Sequence, residues 1–456
     1  MKVLLSHGYF LEEDPKEQEV MRPYPTLGLL YISAYLNAHQ KTHEVFDTTF
    51  SNKSKFKAQL IEIKPDLIAF YTNLMTKVNI IELIQFIKQT EQLSNCQIVL
   101  GGPDITYNVE NYMNAGADFL IIGEGEQTAL ELVNALESKS DFSTITGLVF
   151  KDKKGIQKNP ARVKIKELDK LPLPNRAAYP IEKYLATWKN AHGESALNVS
   201  TQRGCPYTCK WCSTAVYGQS YRRRSAKKVV EELAELKTTY NPDTFWFVDD
   251  VFTVSHKWLR EFHAEILRTG LQINFECITR AERMNDEVIQ LLKESGCIRV
   301  WIGAESGSQR IIDAMDRRVD INQVKEMLIK TRESGIETGT FIMVGYPGET
   351  VEDIETTAQY LVDALPDYFT ITKSYPIKGT RLYTEIEENI TQKPEWTTST
   401  DREIDFERKY SDRFYDMAIR NIYNRVKLQR ERKAGGKSLK THAKVFGTQL
   451  GMKLLS

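Results

Sequence analysis

The chain has 456 residues, 61 Lys and Arg against 61 Asp and Glu, 41% hydrophobic residues and six cysteines. That length fits two or three domains at roughly 150 residues each, and zero net charge lacks the basic excess of a phosphate-tracking surface, so no nucleic-acid partner is expected. No apolar run reaches the roughly 18 residues that cross a bilayer, MKVLLSHGYFLEED is too briefly apolar for a signal peptide, and the cysteines are too few for a disulfide scaffold; the expectation is a cytoplasmic protein with no membrane partner.

Through residues 1–140 short apolar runs alternate with helical patterns. Strands are predicted at 2–7, 43–48, 66–72, 97–102 and 118–125, and helices at 27–39, 54–63, 79–92 and 126–136. The alternation predicts a doubly wound, Rossmann-like parallel sheet, whose ligands sit at the carboxyl ends of its strands. Those ends carry Thr72-Asn73-Leu74, Gly101-Gly102 and Gly123-Glu124-Gly125-Glu126. Residues 141–195 read as a linker: TGLVFKDKKGIQKN forms a hairpin turning at Lys154-Gly155, and ELDKLPLPNRAAYP is Pro-rich and extended.

From 196 to 384 the alternation resumes, with strands near 197–201, 244–249, 273–280, 298–304, 337–343 and 368–374. Helices lie between them near 225–239, 255–269, 284–295, 321–334 and 350–364. This predicts a full or partial βα, TIM-like barrel with its chemistry at the carboxyl ends of the strands. YRRRSAKK (221–228) reads as a solvated loop leading into a helix capped by Ser225. Residues 385–456 form a charged C-terminal helical segment, frayed over 433–440.

The chemistry-bearing segment is TQRGCPYTCKWCST, which spaces Cys205, Cys209 and Cys212 as C-x3-C-x2-C directly after the first barrel strand. Three thiolates on one short loop can wrap a single metal centre. A closed zinc site uses four ligands, and His192 and His256 do not stand at finger-like spacing. An electron-carrier cluster also uses four cysteines. Three cysteines leave one iron of a cluster open for chemistry. Cys96, Cys277 and Cys297 are scattered and read as buried thiols.

This loop behind a first barrel strand resembles the signature of the radical S-adenosylmethionine (SAM) superfamily. The resemblance implies a 4Fe–4S cluster on Cys205, Cys209 and Cys212, with SAM chelating the open iron and cleaved to a 5′-deoxyadenosyl radical. Later motifs match in order: WFVDDVFT with Asp249 and Asp250, FECITRAER with Arg280, VWIGAESGS with Glu305, FIMVGYPGET with Gly345, and SYPIKGTRLY. By resemblance Trp211, Asp249, Arg280, Glu305 and Gly345 are expected to contact SAM, Trp211 and Gly345 near its adenine. Lys373 and Tyr375, at the end of the sixth strand, are candidate substrate contacts. No general acid or base stands out.

The first 140 residues resemble the cobalamin-binding domain that precedes many radical SAM barrels. The matching residues are Tyr24-Pro25-Thr26-Leu27-Gly28-Leu29, Thr72-Asn73-Leu74, Gly101-Gly102 with Thr106, and Gly123-Glu124-Gly125-Glu126. The resemblance assigns corrinoid binding to Leu27, Gly28, Thr72, Asn73, Leu74, Gly101, Gly102, Thr106 and residues 123–126. Where other cobalamin proteins carry D-x-H-x-x-G, this chain has Asp47-Thr48-Thr49-Phe50-Ser51-Asn52. No imidazole ligand can come from that loop.

Three functions follow from these readings. The first is cobalamin-dependent methyl transfer to an unactivated centre of a small molecule or natural-product intermediate, with an electron donor such as flavodoxin or ferredoxin. The second is radical SAM chemistry over a vestigial or non-methylating cobalamin domain: cyclisation, dehydration, epimerisation or oxidation. The third is a cofactor carrier without turnover, against which the ordered SAM motifs argue. The aromatic residues of the helical tail, Trp396 to Tyr423, are candidates to roof the barrel mouth.

Overall fold

Strand Val3–His7 (β1) is apolar and buried along its length, as a central parallel strand covered on both faces must be. The computed structural model describes residues 1–456 other than Ala215 and Lys437. β1 belongs to a seven-stranded sheet ordered β2 (Glu44–Phe46), β1, β3 (Leu67–Tyr71), β4 (Gln97–Gly101), β5 (Phe119–Ile121), β6 (Leu148–Asp152) and β7 (Gly155–Lys158). The first five strands run parallel and the last two antiparallel. After the short α1 (Pro15–Val20), helices α2 (Leu27–Ala38) and α6 (Glu126–Ser138) pack on one face through Leu29, Leu36, Leu132 and Val133. α3 (Lys53–Ile63), α4 (Lys77–Gln89) and α5 (Val109–Ala115) cover the other through Phe56, Leu60, Ile80, Ile84 and Tyr112. The sheet is doubly wound, as expected.

The hairpin corrects the linker reading. β6 pairs with β5 through Phe119–Phe150 and Leu120–Val149, and its turn is Lys153-Lys154, with Asp152 opposite Gly155. Leu148, Val149 and Phe150 are buried, so the hairpin extends the first sheet beyond what would otherwise be an exposed edge. The span read as a linker also contains a helix directly after its Pro-rich stretch, α7 (Ile181–His192), which buries Ile181, Tyr184 and Trp188.

The second sheet is six-stranded, parallel and open: β15 (Tyr368–Lys373), β14 (Glu337–Val344), β13 (Cys297–Ile302), β12 (Phe275–Thr279), β11 (Thr244–Phe247) and β8 (Ala196–Val199), with β15 and β8 at opposite edges. It is a partial barrel. Helices α8 (Ala226–Tyr240), α9 (His256–Thr269), α10 (Asp286–Glu294), α12 (Ile321–Glu333) and α13 (Val351–Ala364) cover it through Val229, Leu233, Phe262, Leu292, Leu328 and Leu361. A short ribbon, β9 (Gln202–Arg203) with β10 (Arg222–Arg223), flanks the cysteine loop. Short helices α11 (Gln309–Ala314) and α14 (Arg381–Ile386) and the ribbon β16 (Ile390–Gln392) with β17 (Asp405–Phe406) follow.

The C-terminal segment holds two helices, α15 (Asp412–Lys433) and α16 (Leu439–Leu455), rather than one helix and a frayed end; Lys437 lies outside the described residues. Before α15 the chain reaches back to the first domain. Trp396 sets its ring edge-on to Tyr112 at 4.7 Å, and Lys77 lies 4.6 Å above it. Lys378 donates to Asn108 at 3.2 Å.

The arginines of YRRRSAKK are buried rather than solvated. Arg222 binds Glu124 at 2.7 Å and the Ile165 carbonyl at 2.8 Å. Arg223 lies over Trp258, 3.4 Å from the ring centre, and Arg224 binds Glu232. Ser225 caps α8 as expected. Arg203, two residues before Cys205, binds Glu124 at 3.2 Å and also Glu126. All three of these side chains are buried, so one charged junction ties the end of the first sheet to the start of the cysteine loop. Removing one partner strands a buried charge.

Behind β14, Glu349 is 1% exposed, accepts the Gly345 N–H at 2.6 Å, and has its second carboxyl oxygen unbonded. Burial pushes its pKa up to about 8.

Two outcomes are expected. Arg203→Met should lower stability by about 3–5 kcal/mol, read from urea unfolding, because Glu126 loses the one cation that pairs with it among the described residues. For Glu349, the folded chain keeps a proton that the unfolded chain releases above 4.5. Stability is therefore expected to fall as pH rises from 4.5 towards 8, by up to a few kcal/mol. Glu349→Gln should flatten that slope in unfolding curves recorded across the interval.

Candidate active site

The cysteine loop is held in place by its neighbours. Gly204 sits at φ +83°, where a Cβ would fall 2.5 Å from the Ser220 carbonyl oxygen, so only glycine lets the two arms of the loop approach. Lys210 donates its N–H to the Met315 carbonyl at 3.1 Å and accepts the Leu382 N–H at 2.9 Å. Trp211 packs with Ile311, Met315, Tyr346 and Leu382. Cys205 and Cys209 are half-buried and Cys212 is exposed.

Asp249 anchors the strand that enters this loop. Its carboxylate, 2% exposed, accepts the N–H groups of Thr201 at 2.8 Å and Gln202 at 3.2 Å and the Thr201 hydroxyl. Arg223 lies 3.6 Å away. Asp249 is therefore bonded to the backbone that leads into the loop, and both Asp249 and the neighbouring Asp250 line the cavity. Burial and Asp249 together raise the Asp250 carboxyl above the ordinary range.

Arg280 and Arg317 converge on Cys209, with Glu305 beside Arg317. Arg280 donates to Cys209 Sγ at 3.3 Å and stacks over Tyr207 at 4.0 Å; Arg317 reaches the same sulfur at 3.9 Å. Glu305 holds φ +69°, a conformation rare outside glycine, and bridges to Ile342 while its carboxylate lies 3.9 Å from Arg317. Burial raises its pKa, and Arg317 and Arg280 oppose the rise. Among the described residues no three His, Cys, Asp or Glu side chains close on a single-ion position.

The loop opens onto a cavity of about 680 Å³. Cys205, Cys212, Asp249 and Asp250 line one end, and the strand ends of the first sheet line the other, through Leu27, Gly28, Asn73, Gly101, Gly102 and residues 123–126. The cavity continues between the sheet and helices α2 and α6, against Val3, Leu5, Leu36, Ala129 and Leu132. An apolar tunnel inside an otherwise packed α/β domain can take a flat aromatic group.

Several expected ligand contacts serve other ends. Glu124 and Glu126 are committed to Arg203 and Arg222. Gly102, at φ +118°, lets the chain pass the Thr72 carbonyl, which a Cβ would meet at 2.2 Å. Asn73 accepts the N–H groups of Met75 and Thr76 in the turn before α4 and still lines the cavity. Thr72, Leu74, Thr106, Trp211, Arg280 and Glu305 lie outside the cavity lining. So does Gly345, which is at φ +76° beside Arg408 and Tyr415, in a turn bound to Glu349. Lys373 pairs with Asp416 at 2.8 Å and Asp412 at 3.3 Å on α15 and lies outside the cavity lining. Tyr375 is half-buried and outside the lining.

Thr49, at the position of the missing histidine, is buried and bonded to Tyr184 at 2.7 Å. Among the described residues no histidine lines the cavity. The sequence reading missed Tyr31, Tyr71, Tyr217, Gln202 and Arg203 as cavity residues and Arg317 as a partner of Cys209. Only Arg203 carried a local signal, an unexplained charge just before Gly204-Cys205. Burial pushes the Tyr31 and Tyr71 phenols up to about 12, so they stay protonated. Gln202 is buried with neither amide atom bonded.

The family description of the radical SAM superfamily matches residues 199–361, and that of the B12 binding domain matches residues 19–133. An uncharacterised methyltransferase of Pyrococcus horikoshii is 30% identical over 370 residues, 79% of this chain and 78% of its own. The anaerobic magnesium-protoporphyrin IX monomethyl ester cyclase of Rubrivivax gelatinosus is 25% identical over 383 residues, 82% of this chain and 68% of its own. The fold matches that of TsrM, a radical SAM methyltransferase from Kitasatospora setae with cobalamin and a 4Fe–4S cluster bound. There the TM-score is 0.71 at 18% identity, covering 85% of this chain and 74% of TsrM. With a cysteine loop on a partial barrel behind a doubly wound sheet, and a relative matched across most of both lengths, the chain belongs to the radical SAM superfamily as a member that carries an N-terminal B12-binding domain.

Proposed function

We propose that this protein holds a 4Fe–4S cluster on Cys205, Cys209 and Cys212, binds SAM beside it and cobalamin at the end of the first sheet, and methylates an unactivated centre of a small molecule. The observation that carries this reading is the single cavity shared by the cysteine loop and the strand ends of the B12-binding domain. A substrate placed there lies between the two cofactor positions. When bound, the cluster and SAM supply one-electron cleavage of a sulfonium and cobalamin supplies a transferable methyl group; the protein's own contribution is orientation and exclusion of competing reactions.

Each residue then has a definable task. Arg280 and Arg317 place positive charge against Cys209 Sγ, favouring the thiolate that ligates iron. Glu305 and the same arginines offer complementary charges to an amino acid moiety. Asp249 fixes the approach to the loop from behind. Tyr31, Tyr71 and Tyr217 wall the cavity, and phenols that remain protonated do not bring a charge into it. The apolar part of the cavity against Ala129 and Leu132 would take the aromatic base of a corrinoid tail. Flavodoxin or ferredoxin is the proposed electron donor.

A second reading keeps the radical chemistry without methyl transfer, and the cyclase among the relatives favours it. The two readings separate on corrinoid content and on whether the product gains one methylene in mass.

Cys209→Ala is expected to lose cluster iron and abolish 5′-deoxyadenosine release under anaerobic, reducing conditions, while hydroxocobalamin binding persists in the visible spectrum. Ala129→Phe projects a ring into the tunnel, and overpacking of this kind costs about 1–3 kcal/mol. It should weaken hydroxocobalamin binding about tenfold or more in equilibrium dialysis, with iron content unchanged. Full activity without corrinoid would overturn the methyl-transfer reading.

A further inference from the structure

The last helix, α16, has two unlike faces. Thr441 and Met452 are buried, and Asn421 of α15 donates to the Val445 carbonyl at 3.2 Å and to Thr448 Oγ1 at 2.9 Å. These positions fasten one side of α16 to the rest of the protein. The opposite side carries Leu439, Phe446, Leu450 and Leu454, exposed by 85%, 70%, 48% and 77%. At 3.6 residues per turn these four fall within roughly 80° of arc. Lys440 and Lys444 border the stripe on one flank and Lys453 on the other, all exposed. Among the described residues no ion pair engages these three lysines.

The charge along this segment is one-sided. From Lys433 to Ser456 the sequence has Lys433, Lys437, Lys440, Lys444 and Lys453, and no Asp or Glu. The whole chain is neutral, so the rest carries the matching negative excess and this end concentrates the positive charge. An exposed apolar stripe flanked by lysines is the pattern of a helix that lies in a bilayer interface, with its apolar face among acyl chains and its ammonium groups at lipid phosphates.

We propose that α16 docks this protein onto an anionic lipid bilayer. Leu439, Phe446, Leu450 and Leu454 would enter the interface, and the flanking lysines would meet the headgroups. No helix among the described residues is long and apolar enough to cross a membrane, so the contact is peripheral. The expectation of no membrane partner rested on spanning and targeting segments alone, which do not test for such a face. A second copy of the chain fits this face poorly. A two-fold pairing of the stripe on itself brings the lysine rows of both copies together, with no carboxylate from either helix between them.

The test is co-sedimentation of the full, reconstituted chain with vesicles of phosphatidylcholine alone or containing about one third phosphatidylglycerol. Binding is expected only with the anionic lipid and should weaken with added salt. Replacing Lys440, Lys444 and Lys453 with Gln should lower partitioning on the order of 100-fold, at about 1 kcal/mol per lysine. Phe446→Ser with Leu450→Ser should lower it comparably, with circular dichroism and iron content unchanged in both variants. Failure to bind anionic vesicles, or binding that neither variant reduces, overturns the proposal. So does a lipid-free dimer in sedimentation velocity that Phe446→Ser dissociates, which would make the stripe an interface between copies.

Discussion

The arrangement depends on one buried charged junction. Arg203 and Arg222 meet Glu124 and Glu126 where water is excluded, and two buried carboxylates need two buried cations to be tolerated at all. Glu124 and Glu126 come from the end of β5 and the first turn of α6, whereas Arg203 and Arg222 come from the ribbon that frames the cysteine loop. Satisfying these charges fixes where the loop stands relative to the strand ends of the other domain. The shared cavity follows from that placement, because Glu124, Arg203 and Cys205 all lie on its wall.

Around this junction the protein separates holding from contacting. Asp249, Glu349, Asn73 and Lys373 are charged or polar residues at strand ends, where ligands are sought in parallel sheets, yet each is spent on the protein's own backbone or on a neighbouring helix. The surfaces left for ligands are less conspicuous: three tyrosines, an unpaired glutamine, Asp250 and an apolar tunnel. On the opposite side, Trp396 and Lys378 carry the chain from the barrel back to α5 and its approach, so the domains are joined at a second place.

Much of the architecture was legible before any coordinate. Strand and helix periods identified the doubly wound sheet and the open barrel, because buried parallel strands are short unbroken apolar runs. The hairpin at 148–158 was visible as a hairpin but not as part of the first sheet, since pairing with β5 is a long-range choice that local pattern does not encode. Helix α7 was hidden by the prolines before it, although Ile181, Tyr184 and Trp188 carry helical spacing. The arginines at 222–224 looked like a solvated run because charge is normally exposed; their carboxylate partners lie far away in sequence.

By itself the sequence determined the order of the domains and the family resemblance that singles out the three loop cysteines, because three cysteines within eight residues and a repeating βα pattern are local features. The tertiary structure alone decided which partners the carboxylates take. It bonded Asp249 to the Thr201 and Gln202 N–H groups, paired Glu124 and Glu126 with Arg203 and Arg222, and brought Arg317 to Cys209. The physical reason is that a charged side chain takes its role from the partner that compensates its burial, and that partner is set by the packing of distant segments.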